Sequence, residues 1–117
     1  MTGAEKLEIW QKTIAFAETV YALTTGYPAE RRQRIRRRVV SISSSIAEGA
    51  ACGSRREFAR FVEIASAALP DVVCQIEAGR GLGFLPDEQF EALCMMAWEQ
   101  GRMLGGLHRS LPPESDG

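Results

Sequence analysis

Apolar side chains recur every three or four positions in four stretches of this 117-residue chain, and glycine and proline separate the stretches. Such spacing places the apolar residues on one face of an α-helix, and no stretch shows the sustained alternation of a strand. The pattern predicts helices at about residues 5–25, 29–51, 55–80 and 87–110. The apolar stripes of the four helices are Leu7, Trp10, Ile14, Ala17 and Tyr21; Ile35, Val39, Ile42 and Ile46; Phe58, Phe61, Ala65, Ala68, Val72 and Ile76; and Phe90, Leu93, Ala97, Leu104 and Leu107.

The third helix carries two local signals. Ser54 followed by Glu57 has the spacing of a capping box, which predicts a helix start after Ser54. Pro70 lies inside the segment and removes one backbone hydrogen bond, but the apolar spacing continues to Ile76. We therefore expect one helix with a bend near Pro70. Four similar helices with short connections predict an all-α fold, an antiparallel up-down-up-down four-helix bundle.

The length predicts a single domain over residues 1–117, with an ordered core at about 5–111 and a short flexible C-terminal tail. The first helix has a second apolar stripe, and Val40 lies behind the inward stripe of the second helix. Helices that are apolar on more than one side usually have a second partner, so we expect self-association. The second stripe of the first helix is Ile9, Thr13, Phe16, Val20 and Leu23.

Composition excludes several classes of protein. Fourteen basic and 15 acidic side chains give a formal net charge of -1, which disfavours a general polyanion binder, so any phosphate contact needs a local patch. No apolar run approaches the ~20 residues of a membrane span. The first residues, "MTGAEKLEIW", lack the basic region and apolar core of a secretory signal, and we expect a cytoplasmic protein.

Candidate chemistry is sparse. Cys52, Cys74 and Cys94 form no C-x-x-C pair, and we interpret them as small buried side chains in a reducing compartment. His108 is the single histidine and lacks an E-x-x-H partner, so we predict no metal site. No nucleophile, base and orienting group occur in a recognisable pattern. We expect no enzymatic activity and no cofactor.

Arginine occupies six of the eight positions 31–38. On a helical wheel Arg34, Arg36 and Arg37 point away from the Ile35 stripe, and we expect them to be exposed. Two interpretations remain open for the run: contact with phosphates, or pairing with carboxylates, which is the usual state of surface charges. We expect the other three to pair with acids of the first helix or of another subunit. These are Arg31, Arg32 and Arg38.

A second basic patch is predicted at the start of the third helix, at Arg55, Arg56 and Arg60. In an antiparallel hairpin this start lies beside the end of the second helix, so the two patches should be separate. No aromatic residue interleaves with the first arginine run, and base stacking is not expected.

The chain resembles a known family. The segments that carry the resemblance are "LEIWQKTIAFAETVYALTTGYP", "RRRVVSISSSIAEGAACGSRREFARFVEIASAAL" and "GRGLGFL". They are similar to the bacterial four-helix-bundle proteins named after open reading frames in intervening sequences of 23S ribosomal RNA. The resemblance implies a bundle that assembles as a ring-shaped homopentamer. A relative, the accessory variability protein of diversity-generating retroelements, binds nucleic acid and a reverse transcriptase.

These observations favour a non-enzymatic homo-oligomeric scaffold or adaptor with weak, sequence-tolerant binding of RNA or DNA. The alternative is a protein–protein interaction module that does not bind nucleic acid. A salt-dependent nucleic-acid titration separates the two hypotheses. The predicted nucleic-acid-binding residues are Arg34, Arg36, Arg37, Arg55 and Arg56.

Overall fold

The computed structural model describes residues 2–112 and contains four α-helices in this range and no strand. No predicted helix end is displaced by more than two residues. Residues 113–117, most of the predicted C-terminal tail, lie outside the described part of the chain. The helices are α1 (Gly3–Leu23), α2 (Ala29–Ala51), α3 (Arg55–Gly81) and α4 (Asp87–Arg109).

The helices form the predicted antiparallel four-helix bundle. Consecutive helices are neighbours around the bundle, α1 closes against α4, and α2 and α3 pack most closely. Tyr27, just before α2, donates to the Ile76 carbonyl near the end of α3, as antiparallel neighbours require, and Gln100 of α4 donates to the Lys12 carbonyl of α1. None of the helices in the described range combines the length and apolarity of a membrane span.

The predicted stripe of α2 lies in the core, and so does that of α4 except for Phe90, which packs against it; the first of the two α1 stripes is exposed at both ends. Leu7 is 52% exposed, and Tyr21 is also exposed. The second stripe faces the core instead, through Phe16, Val20 and Thr13, whose hydroxyl donates to the Trp10 carbonyl at 2.6 Å. Since α1 is apolar on more than one side, its periodicity alone does not determine which side meets the bundle.

Capping chemistry differs from the prediction at two helix starts. The Ser54 hydroxyl accepts from the Glu57 amide at 3.3 Å, which is one half of the predicted capping box. A complete box occurs at Thr2 and Glu5, with hydrogen bonds of 3.1 and 3.2 Å, and fixes the start of α1. Helix α3 is continuous across Pro70, as predicted. The bend there stays a prediction.

Candidate nucleic-acid interface

The first half of α2 positions the arginine run beside the end of α1. Ile35 and Val39 are buried in the core, which fixes the rotation of α2. Arg36 and Arg37, which lie between them, line an open groove against α1 with a volume of about 500 Å³. We call it the α1–α2 groove; its lining residues are Tyr21, Gln33, Arg36, Arg37 and Val40.

Arg36 is the residue that departs most from its predicted exposed position. It is half-buried against Tyr21 of α1, with its guanidinium carbon 4.6 Å from the ring centroid. One terminal nitrogen donates to the Tyr21 carbonyl at 2.8 Å. Its Nε is buried and has no hydrogen-bond partner within residues 2–112. A long arginine stem lies readily along an apolar surface, and α1 supplies that surface.

No aromatic residue interleaves with the arginine run in the sequence, but the fold places Tyr21 against Arg36. Tyr21 is distant from Arg36 in sequence and reaches it from a different helix. Cation–π contacts of this length are attractive by about 0.5–2 kcal/mol, depending on solvent exposure. The groove thus combines cationic and aromatic groups.

Arg34 and Arg37 are exposed, as predicted. Arg34 lies 4.0 Å from Glu30, one turn earlier, and both side chains are well solvated. Such pairs contribute about 0.2–1 kcal/mol or less, so Arg34 is readily available to another anion. Arg37 forms no ion pair with any residue that the structure describes.

The three remaining arginines of the run do not pair with acids of α1 within the described chain, so that part of the prediction is wrong. Arg38 binds Asp71 of α3 at 2.6 Å, because α2 packs more closely on α3 than on α1. Arg32 donates to the Tyr27 carbonyl at 3.2 Å. Arg31 is half-buried. Pairing with another subunit stays a prediction.

The second basic patch lies at the start of α3. Arg55 donates to the Ser110 carbonyl at 2.9 Å and thereby ties α3 to the end of α4. Arg56 and Arg60 are exposed. The first patch meets α3 at Asp71, the partner of Arg38. Asp71 and Arg55 are separated by about 24 Å along α3, at 1.5 Å per residue, so the two patches are separate, as predicted.

The electrostatics of the first patch are unbalanced. Six guanidinium groups face only two carboxylates at ion-pair distance in the described residues, those of Glu30 and Asp71. Neither carboxylate is within ion-pair distance of Arg36 or Arg37. Arginine stays protonated at any physiological pH, so the charge excess is permanent. The α1–α2 groove is therefore suited to an anion that reaches it from solvent.

Two apolar surfaces lie on opposite sides of the bundle. On the α3–α4 side, Trp98 is 64% exposed beside a groove of about 500 Å³, which we call the Trp98 surface. It is lined by Leu69, Pro70, Val73, Cys74, Glu77, Phe90, Cys94, Ala97 and Trp98. On the α1–α2 side, a shallow groove of about 350 Å³ forms the Leu7 surface. It is lined by Gly3, Lys6, Leu7, Trp10, Ala47, Ala50 and Ala51.

Reactive side chains outside the arginine patches are isolated. Cys74 is exposed, which corrects its predicted burial, whereas Cys52 and Cys94 are half-buried. Burial raises the pKa of the Cys94 thiol, which makes it a weaker nucleophile at neutral pH. His108 Nε2 lies 2.8 Å from Glu63 Oε1, in a single pair between α4 and α3. Within residues 2–112, no three histidine, cysteine or acidic side chains form a metal-binding group.

Comparison with known proteins finds one family match. The family model described as 23S rRNA-intervening sequence protein matches residues 5–106, which is most of the chain. No curated protein matches the chain in sequence.

Proposed function

Because the chain belongs to the family of 23S rRNA-intervening sequence proteins, we propose that it is a non-enzymatic, homo-oligomeric scaffold or adaptor that binds nucleic acid weakly and with little sequence preference. The observation that carries the proposal is the α1–α2 groove. Two guanidinium groups line it, those of Arg36 and Arg37, and neither has a carboxylate partner among residues 2–112. Phosphate oxygens are strong acceptors for such groups.

Weak and sequence-tolerant binding follows from the kind of contact available. Arg34 and Arg37 are exposed and reach phosphates, which are the same for every base. Arg56, with Arg55 beside it, offers a second contact at the far end of the bundle. Few phosphate contacts per chain give low affinity and a clear dependence on salt, because counterions are released.

Self-association is supported by the two unlike apolar surfaces. The Leu7 surface carries Lys6, and the Trp98 surface carries Glu77, so their charges are complementary. We assign the Trp98 surface of one copy to the Leu7 surface of the next. A contact between two different surfaces repeats from copy to copy, and it forms a ring when its rotation closes and an open filament when it does not. The family resemblance favours a ring of five copies.

A ring would strengthen weak nucleic-acid contacts. Each copy contributes one α1–α2 groove, and a strand held by one copy meets the grooves of its neighbours at high effective concentration. The assembly could then retain a strand that a single copy releases.

A second candidate function is a protein-interaction module without nucleic-acid binding, and the Trp98 surface favours it. An exposed tryptophan beside an apolar groove between two helices is suited to the apolar face of a partner helix. In this case the arginines of α2 would be solvent-exposed charges without a nucleic-acid partner.

The experiment that separates the two functions is a titration of labelled single-stranded RNA with the protein at several salt concentrations. The test variant is Arg34→Gln/Arg37→Gln, which leaves the Arg36 contact with Tyr21 in place. The matched control is Arg102→Gln/Arg109→Gln, which removes the same charge from exposed positions of α4. Circular dichroism verifies that each variant is folded.

The proposal predicts that binding weakens with salt and that the test variant has a shallower salt slope, by about one to two in the slope of log K against log salt. The control variant should retain a slope closer to that of the parent. If the parent does not bind RNA or DNA at low salt, nucleic-acid binding is rejected and the interaction module becomes the better account. Equal slopes for the parent and the test variant would exclude this groove as the phosphate contact.

A further inference from the structure

The Arg36 side chain is held in a way that a purely electrostatic contact does not require. The guanidinium carbon lies over the Tyr21 ring, 4.6 Å from its centroid, and the Tyr21 carbonyl accepts one of the guanidinium hydrogen bonds at 2.8 Å. The group is thus fixed in place at the wall of the α1–α2 groove, while Arg34 and Arg37 remain exposed. Fixing a flat cation in advance reduces the ordering cost of a flat ligand.

We propose that the α1–α2 groove is a site for single-stranded nucleic acid, in which an unpaired base stacks on the Arg36 guanidinium and Arg37 binds the adjacent phosphate. This inference rests on the proposed nucleic-acid function and adds the class of strand and the contact that selects it. Guanidinium planes and aromatic rings are the usual stacking platforms for unpaired bases. The edge of the base would face Gln33, whose amide both donates and accepts.

The shape and composition of the groove favour a single strand over a duplex. The lining includes the apolar Val40 and the Tyr21 ring, which offer nothing to a phosphate backbone. In a duplex the base faces are stacked inside the helix, so only the exposed arginines would make contact. A single strand turns its bases outward and uses the aromatic, apolar and cationic parts of the groove together.

Two other cation–aromatic pairs of the bundle differ from this one. Arg80 lies 4.9 Å from the Phe90 ring, but Glu77 and Asp87 already neutralise it at 2.6 and 3.0 Å. Lys6 lies 5.5 Å from the ring of Phe58, which is itself buried. The Arg36–Tyr21 pair combines an unneutralised guanidinium, a neighbouring free arginine and an open groove.

The test compares three ligands with the unmodified protein: a short oligouridine RNA, a strand of the same length that lacks its bases, and a duplex. The strand without bases has the backbone charge of the RNA but cannot stack. Stacking on one platform should make the oligouridine bind about five-fold to a hundred-fold more tightly than this strand. Equal affinity for the two strands overturns the inference while leaving the proposed function in place.

Charge-preserving variants test which residues cause the preference for oligouridine over the strand without bases. Arg36→Lys keeps the positive charge and removes the guanidinium plane, and Tyr21→Leu keeps an apolar contact at an exposed position and removes the ring. Both should lose most of the preference for oligouridine over the strand without bases, with little change in salt slope. Arg102→Lys is the matched control, because Arg102 lies 5.0 Å from the Trp98 ring on another face.

Each remaining outcome also decides the inference. Retention of the full preference by folded Arg36→Lys contradicts the role of Arg36. If neither strand nor the duplex binds at low salt, the proposed nucleic-acid function itself is rejected. If Arg36→Lys and Tyr21→Leu lower the assembly mass and leave RNA affinity unchanged, the groove holds an acidic face of a second copy instead.

Discussion

The Tyr27 hydroxyl donates a hydrogen bond of 2.7 Å to the main-chain carbonyl of Ile76. Tyr27 lies in the connection between α1 and α2 and is only 2% exposed, so this bond joins the connection to the last turns of α3. Its ring packs against Phe84, with centroids 5.5 Å apart. The contact sets where α2 begins and hence where the arginine run meets α1.

Tyr27→Phe should lower the free energy of unfolding by about 0.5–1.5 kcal/mol, because the ring stays in place and one buried hydrogen bond is lost. Urea unfolding of the parent and the variant measures the difference. Tyr21→Phe is the matched control, since Tyr21 is exposed and its hydroxyl has no role in the core. A Tyr27→Phe variant as stable as the parent would show that the bond contributes nothing.

Tyr27 should also make the free energy of unfolding depend on pH. Burial raises the pKa of Tyr27 above the ordinary tyrosine value of about 10. Above pH ~10 the unfolded chain loses this proton while the folded chain keeps it, so the free energy of unfolding falls as pH rises from that value through the folded pKa. The parent should therefore lose more stability than Tyr27→Phe between pH 9 and 11, as measured by urea unfolding. Parallel curves would contradict this assignment.

The Tyr27 ring occupies the space that a side chain at position 79 would need. A Cβ atom at Gly79 would overlap the ring, whereas a Cβ at Gly81 meets open space. Gly79→Ala should lower the free energy of unfolding by about 1–3 kcal/mol, as expected for an overfilled core. Gly81→Ala, near the end of the same helix, should be neutral or slightly stabilising. Thermal unfolding measures both, and equal melting temperatures for the two variants would contradict the packing argument.

The Arg38–Asp71 pair links α2 to α3 at 2.6 Å and is partly exposed. A double-mutant cycle with Arg38→Gln and Asp71→Asn should give a coupling free energy of about 0.2–1 kcal/mol. The same cycle on Arg34 and Glu30, which lie 4.0 Å apart, should give less. A larger coupling for the Arg34–Glu30 pair would contradict this order of the two pairs.

The proposed head-to-tail assembly predicts complementation between two variants. Leu7→Glu and Trp98→Glu should each lower the assembly mass in light scattering, because each places a charge in one apolar surface. Mixing the two variants should restore a pairwise complex, since each retains the surface that the other lacks. Ile64→Glu changes an exposed apolar residue outside both surfaces and is the control. Recovery of no mixed complex would contradict a contact between unlike surfaces.

The sequence predicted the bundle because α2 and α4 each have a well-defined apolar face, as Ile35 and Leu104 show by their complete burial. It did not determine the rotation of α1, which is apolar on several sides. The Thr2–Glu5 capping box was missed although its spacing, a threonine followed three residues later by a glutamate, is readable in the chain.

The candidate site was only partly predictable. The exposure of Arg34 and Arg37 follows from the helical wheel of α2 alone. The contact of Arg36 with Tyr21 requires the distance and rotation of α1 relative to α2, which local spacing does not contain. The pairing of Arg38 with Asp71, rather than with an acid of α1, likewise depends on how closely α2 packs on α3.

The most direct test of the central claim is photo-crosslinking of the native protein to 4-thiouridine-containing single-stranded RNA, with crosslinked peptides identified by mass spectrometry. The α1–α2 groove predicts crosslinks at Tyr21 and in the peptides of residues 33–37, which weaken as salt is raised. Crosslinks confined to other surfaces, or none at low salt, would contradict the claim that this groove holds nucleic acid.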